Sequence, residues 1–177
     1  MFLSDETLRN LCEDDNGLCK NLTKESIQPA SIDCRISNNF AAIDEEKGKI
    51  LRFDSPVNYR NFQTDSFILK PHSFILASTM EHLNVPNDIA GFVDGRTSLG
   101  RMGVLAITAG WIDPGYNGVV TLQLFNTTEN PIELVAGQRI GQFVFASLDT
   151  AAQMGYNGKY QNSVTATGSK MFMDAKN

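Results

Sequence analysis

The chain has 177 residues, of which 42% are hydrophobic and 20% charged, with a net charge of −5 and an isoelectric point near 5.0. This length suits one domain with a proper core. An acidic surface gives no general means of holding nucleic acid or an anionic membrane, so a polyanionic ligand would need a local basic cluster or a divalent metal. No apolar run approaches the ~20 residues of a membrane span, and we expect neither nucleic acid nor membrane as a partner.

The N-terminal segment and the cysteines predict a cytoplasmic protein. Residues 1–10 lack the basic start and the long apolar core of a signal peptide. Cys12, Cys19 and Cys34 are odd in number and too few for a disulfide framework, which favours a reducing compartment. The two histidines lie far from these cysteines in the chain, so we expect no zinc site.

The chain begins with a predicted helix. Ser4 is a typical N-cap residue, and acidic residues fill the first turn after it. Leu8, Leu11 and Cys12 form one apolar face, and the turn at 15–17 is expected to end the helix.

The middle of the chain predicts many short β-strands, separated by turn residues about every ten positions. The runs are 31–36, 40–43, 50–53, 67–69, 74–76, 89–93, 104–107, 111–113, 119–125, 132–135 and 139–145. We interpret 40–53 as a hairpin with a charged tip and 54–65 as a surface loop. The pattern indicates an all-β sandwich or barrel with two sheets and one short helix.

The composition changes after Asp149. The remaining residues are rich in Gly, Ser, Thr and Asn and have almost no apolar periodicity. Such a segment is either a frayed tail or a lid that orders over a ligand. We therefore predict a β domain over residues 1–150, followed by a tail or lid over 151–177.

Residues 95–113 predict a nucleotide site. Guanidinium groups match phosphate oxygens, hydroxyls add donors, and glycines let the backbone approach a ligand. The polar residues of this kind are Arg96, Thr97, Ser98 and Arg101. The following residues predict a strand, a tight turn and a second strand that ends in Asp113. A surface loop beside a buried hairpin is the alternative that spacing alone leaves open.

Five segments resemble, in order, the motifs of the dCTP deaminase and dUTPase superfamily. They are SIDCRI, DGRTSLGRMG, TAGWIDPGYNG, GQRIGQFVF and GKYQNS. The N-terminal MFLSDETL resembles the deaminase branch, and the resemblance spans most of residues 1–165. It implies a distorted jelly-roll β fold, a homotrimer with active sites shared between subunits, and Mg²⁺ carried on the triphosphate of dUTP or dCTP.

The resemblance also implies roles for single residues. The motif that holds the phosphates matches Arg96, Thr97, Ser98 and Arg101, of which Arg101 in part reaches a neighbouring subunit's site. The turn that recognises the pyrimidine matches Thr108, Ala109 and Gly110, with Trp111 beside it. The motifs that close on the phosphates match Gln142, Tyr156, Lys159, Tyr160 and Gln161.

Three further positions match residues at the reacting centre. Asp113 matches the aspartate that contacts the deoxyribose and, in dUTPases, positions the attacking water. Tyr116 matches an aromatic under the sugar that helps to reject a ribose. Asp33 matches a carboxylate that acts near the metal through water, so no residue is expected to bind Mg²⁺ directly. The strand pattern alone slightly favours a solvated strand residue at Asp33.

Gln123 is the departure from the deaminase pattern. The deaminases carry a glutamate here that activates water against carbon 4 of cytosine, and an amide has no comparable basicity. No zinc-deaminase signature offers another route. We therefore expect a dUTP diphosphatase, with dCTP deaminase or a bifunctional enzyme as the alternative. A non-catalytic nucleotide-binding trimer is a third possibility, and an engineered Glu→Gln change is left open.

Overall fold

A computed structural model describes residues 1–14, 17–44, 48–107 and 110–176 of the chain. Its helical elements are α1 (Asp5–Cys12), α2 (Thr97–Arg101) and a 3₁₀ helix at Met171–Lys176. The strands are β1 (Cys19–Lys20), β2 (Ile27–Gln28), β3 (Ser31–Ile43), β4 (Tyr59–Gln63), β5 (Ser66–Leu69), β6 (Phe74–Asn84), β7 (Ile89–Gly95), β8 (Val104–Ile107), β9 (Trp111–Ile112), β10 (Asn117–Asn126), β11 (Ile132–Val135) and β12 (Arg139–Ser147). Within the described residues, no helix is long and apolar enough to cross a membrane.

Helix α1 begins where the sequence predicts it. Ser4 has the extended backbone of an N-cap residue, and two acidic residues follow it near the positive end of the helix dipole. The Ser4 hydroxyl makes no capping hydrogen bond, but the Ser4 carbonyl accepts the first helical bond from the Leu8 N–H at 2.9 Å. Leu8 is fully buried, so this face of the helix joins the core.

Ten of the twelve strands that the described residues form belong to one curled sheet. Its main path runs β8-β10-β6-β3-β12-β7-β9, with β1 beside β6 and with β2 and β4 beside β3. Strands β5 and β11 form a separate two-stranded sheet. The long strand β3 joins the two halves of the curl, because its first residues pair with β12 and its later ones with β6 and β4. A strand that changes partners in this way lets one sheet fold over onto itself.

This curled, mostly β architecture confirms the predicted fold class. The single predicted helix is α1, and the sequence did not predict α2 or the C-terminal 3₁₀ helix. Both missed segments are short, with five and six residues, and Gly100 lies within α2. Such segments carry too few apolar positions for helical periodicity to show.

The core lies inside the curl. Phe40, Phe143 and Phe145 are the largest fully buried side chains. The rings of Phe62 and Phe67 stack on Phe40, with centroids 5.7 and 5.3 Å away. Burying one large apolar side chain stabilises a fold by roughly 1.5–3 kcal/mol. These contacts fix the strands whose other faces carry the polar residues described below.

The predicted hairpin at residues 40–53 is wrong. Strand β3 continues to Ile43, and its partner is β4, with Tyr59 opposite Ile43 and Phe62 opposite Phe40. Strand β4 lies inside the segment predicted to be a surface loop. Its pattern is weak, because only Tyr59 and Phe62 are partly buried, so pairing with β3 decides its structure.

The predicted hairpin at residues 104–113 is also wrong. Strand β8 pairs with β10 and strand β9 pairs with β7, which places them at opposite ends of the sheet path. The two ends approach each other, since a Cβ on Gly95 would lie 3.3 Å from the Cβ of Ala106. Residues 104–113 therefore connect the two ends of the curl. Thr108 and Ala109, predicted to recognise the pyrimidine, lie outside the described residues.

The C-terminal tail lies along the outer side of β10. The Val119 N–H donates to the Ser163 carbonyl, and the Asn162 N–H donates to the Asn117 carbonyl, both at 2.8 Å. Ala166 is buried in a small second cluster of apolar side chains. The tail is therefore docked on the β domain, and the lid role of residues 151–177 stays a prediction.

Candidate active site

A cleft of about 530 Å³ opens between β9, β10 and the tail. Seven of the residues predicted from the sequence line it. They are Gly110, Trp111, Asp113, Tyr116, Gln123, Tyr156 and Tyr160. The tail supplies further polar groups that the sequence did not single out, among them Ser163, Thr167 and Ser169. Nothing in the composition of the tail marks these residues, because their position depends on how the tail docks.

Asp113 lies where the chain leaves β9 and turns into β10. The Tyr116 N–H donates to the Asp113 carbonyl at 3.2 Å, and the Gly115 N–H donates to the Val85 carbonyl at 2.9 Å. Gly115 has a φ of +80°, which favours glycine at this turn. The indole Nε1–H of Trp111 donates to Oδ1 of the Asp113 carboxylate at 2.9 Å. Both the backbone and the side chain of Asp113 are therefore held.

Tyr116 lines the cleft one turn further on. Its hydroxyl donates to the Val119 carbonyl at 2.7 Å, and its ring lies 5.8 Å from that of Tyr156. Burial raises the pKa of Tyr116 to about 12, while a hydrogen bond with Ser163 acts in the opposite direction. Tyr116 is therefore a neutral, fixed ring, as the predicted role under a sugar requires.

Gln123 lies in the middle of β10, opposite Leu76 on β6. Asp113 is the only Asp, Glu, His, Lys or Arg among the described residues that line the cleft. The cleft therefore suits the neutral base and sugar of a nucleotide better than its phosphates. It also holds no second carboxylate beside Gln123 among those residues.

The charged residues of the predicted phosphate site lie outside this lining. Asp33 on β3 is almost fully buried, and its Oδ2 is 3.1 Å from Nη1 of Arg139 and 3.7 Å from Nη2 of Arg96. Gln142 lies opposite Asp33 in the β12–β3 register, and its Oε1 accepts a 3.4 Å hydrogen bond from the Ser31 hydroxyl. Arg139 was not singled out from the sequence.

Helix α2 carries the other predicted phosphate ligands. Thr97, Ser98 and Arg101 are exposed, and Arg96 precedes them as the N-cap residue. None of the four lines the cleft that the described residues form. Within one chain, the described cleft therefore joins Gly110, Asp113 and Tyr116 of the predicted site and includes no residue of α2.

The fit to a protein-bound metal is poor. The described residues contain no group of three or more His, Cys, Asp or Glu side chains that could hold a metal ion. Asp33, which the resemblance places near the metal, is occupied by two guanidinium groups. These residues therefore do not fit a resident Mg²⁺.

Lys159 and Gln161 do not line the cleft that the described residues form. Asp174 forms an ion pair with Lys159, and this hydrogen bond raises the pKa of the lysine. Gln161 Nε2 donates to the Gly115 and Tyr156 carbonyls at 2.8 and 2.9 Å. Gln161 thus fastens the tail to the turn after Asp113. The phosphate roles of both residues stay predictions.

A family model described as dCTP deaminase-like matches residues 2–148. The chain belongs to this family and is one of its enzymes.

Curated relatives match almost the whole chain. A protein named "dCTP deaminase, dUMP-forming" from Persephonella marina is 37% identical over 179 residues, covering 98% of this chain and 99% of the relative. Proteins of the same name from Hydrogenobaculum sp. and Aquifex aeolicus are 41% and 36% identical, each over 98% of this chain, and the matches cover 98% and 97% of those relatives.

A solved structure supports the fold alone. The 2'-deoxycytidine 5'-triphosphate deaminase from Agrobacterium tumefaciens matches with a TM-score of 0.63 at 21% identity. The match covers 81% of this chain and 46% of that longer chain.

Proposed function

We propose that the chain forms dUMP by releasing pyrophosphate from a pyrimidine deoxynucleoside triphosphate. The observation that carries this proposal is Asp113, the one carboxylate among the described residues of the cleft, held beside the half-buried ring of Tyr116. The names of the relatives, which specify dUMP formation, support it.

In this proposal the base and deoxyribose occupy the cleft. Asp113 accepts a hydrogen bond from a water molecule, takes its proton, and directs its oxygen at the α-phosphorus. The new bond to phosphorus replaces the bond to the pyrophosphate oxygen, and pyrophosphate leaves with its negative charge. A carboxylate can perform this step, because it can take a proton from a water molecule that binds within hydrogen-bond distance of it.

The phosphates need cations that the cleft itself does not supply. We propose that they are bound by the guanidinium and hydroxyl groups of α2, and that a second copy of the chain presents them in a homotrimer. Mg²⁺ enters this proposal as the counterion of the substrate triphosphate, where it offsets negative charge. The absence of α2 residues from the described cleft lining supports a shared site.

The second candidate is a dUMP-forming dCTP deaminase, in which ammonia is released as well. The relatives favour this alternative over a plain dUTP diphosphatase, because they are named for it and match 98% of the chain. Gln123 opposes it, because the amide in the cleft cannot take a proton from water and return it to ammonia.

Turnover of the two nucleotides separates these candidates. The purified protein is incubated with Mg²⁺ and either dUTP or dCTP, and dUMP, pyrophosphate and ammonia are measured. We expect dUMP and pyrophosphate from dUTP. Ammonia from dCTP would establish the second candidate. No product from either nucleotide would overturn the proposal and favour a non-catalytic binding protein.

A further inference from the structure

Trp111 and Asp113 stand two residues apart in extended chain, so their side chains point to the same side. Trp111 is paired with Phe92 of β7, which fixes its backbone. Its side chain is 66% exposed at the cleft and therefore contributes little to the core. Its defined polar contact is the 2.9 Å hydrogen bond from Nε1–H to Oδ1 of Asp113.

The backbone of Asp113 is restrained from the other side. Pro114 limits the residue before it to extended conformations, and the Tyr116 N–H holds the Asp113 carbonyl. These contacts do not restrain the rotation of the Asp113 carboxylate about its side-chain bonds. A hydrogen bond from a neutral donor to an ionised acceptor is stronger than one between neutral groups. The indole therefore fixes one carboxylate oxygen and thereby sets the direction of the other.

We propose that Trp111 is a positioning residue for the reaction: by binding Oδ1, it aims Oδ2 of Asp113 at the attacking water. This inference rests on the proposed function, in which Asp113 holds that water. Trp111 sets the direction of the carboxylate, so its loss lowers kcat and leaves nucleotide affinity unchanged.

The kinetic test removes the donor and keeps the ring. The Trp111→Phe variant lacks the N–H. Trp111 is the only tryptophan of the chain, so a tryptophan analogue is incorporated at this position alone. Benzothienylalanine replaces the N–H by sulfur at nearly unchanged shape, whereas 7-azatryptophan keeps the N–H. We expect the first two proteins to lose about tenfold in kcat with KM within about twofold, and the third to keep most of its kcat. Unchanged kcat in the benzothienylalanine protein would overturn the proposal.

A second measurement does not depend on activity. The single indole gives one ¹H–¹⁵N resonance, and its exchange with water is slowed by the bond to Asp113. We expect Asp113→Ala to move this resonance and accelerate its exchange, while Asp149→Ala, an exposed carboxylate outside the cleft, leaves it unchanged. If both variants gave the same spectrum, the hydrogen bond from Trp111 to Asp113 would be excluded. A wild-type protein that releases no pyrophosphate, yet shows the Asp113-dependent resonance, would instead overturn the proposed function and with it the catalytic role of Trp111.

Discussion

Asp113 is the residue whose protonation chemistry the proposed reaction requires. Asn in its place keeps an oxygen that can accept from Trp111, but an amide cannot take a proton from water. We expect Asp113→Asn to lower pyrophosphate release by at least about 10²-fold and to leave nucleotide affinity within about tenfold. Single-turnover assays and equilibrium binding measure the two quantities. Release at near the wild-type rate would show that Asp113 is not the catalytic carboxylate, and Asp149→Asn serves as the matched control.

Gln123 decides whether the same cleft can also deaminate. Attack of water on cytosine needs a group that takes a proton and returns it to the leaving ammonia, which is worth roughly 10²–10⁴ in rate. We expect no ammonia from dCTP above background, and measurable ammonia from the nearly isosteric Gln123→Glu variant. Clear ammonia release by the unmutated protein would mean that the amide is no barrier. The preference for a diphosphatase would then be wrong.

The sequence predicted the residues of the cleft better than those around Asp33. Asp113, Tyr116 and Gln123 follow one another along a single turn and strand, so local order is enough to group them. Arg139 on β12 contacts Asp33 on the neighbouring strand β3. The β12–β3 register shifts between Arg139 and Gly141. A bulge of this kind redirects side chains, and nothing in the local pattern marks it.

At the scale of elements, the tail is bound to β10 by hydrogen bonds from both backbone and side-chain groups. Among the described residues of the tail, only Ala166 is a buried apolar residue. Removing the tail therefore exposes little apolar surface. Truncation after Asp149 is therefore expected to leave a folded protein, with weak activity because one wall of the cleft is lost.

A truncation after Lys170 is the matched control for the tail. It keeps the residues that line the cleft and removes Asp174, the ion-pair partner of Lys159. We expect this shorter deletion to retain activity. Circular dichroism, thermal unfolding and pyrophosphate release measure the outcome. A long truncation that does not fold would show that the tail is structural and not a lid.

The local sequence pattern predicts the wrong strand pairing where contacts between distant parts of the chain decide it. The two apolar runs at 104–107 and 111–113 are separated by a turn-like segment, which predicts a hairpin. Instead β8 pairs with β10 and β9 with β7, because the chain here crosses from one end of the curled sheet to the other. The buried strands at 31–36, 89–93 and 139–145 were predicted correctly, since their apolar residues belong to the core.

At the scale of the whole molecule, the described cleft of one chain contains only one half of the predicted site. The uncharged cleft around Asp113 suits a base and sugar, and the exposed Arg101 lies at the end of α2 outside the cleft lining. A triphosphate attached to a nucleoside in this cleft needs cationic partners within reach. In a closed symmetric assembly, one copy of the chain can supply the cationic groups that the cleft of another copy lacks.

Hybrid assemblies test this arrangement. Asp113→Asn and Arg101→Ala each disable one half of the site, so each variant alone is expected to be nearly inactive. If every site joins Asp113 of one copy to Arg101 of another, randomly mixed trimers of the two variants regain about a quarter of wild-type activity, because two independent positions must both be intact. Co-expression with two affinity tags yields the mixture, and light scattering gives its mass. The control mixes Asp113→Asn with the double variant, which leaves no intact Asp113 in any copy. A mixed trimer without regained activity would place both residues in the site of a single chain, and a monomeric protein would exclude shared sites altogether.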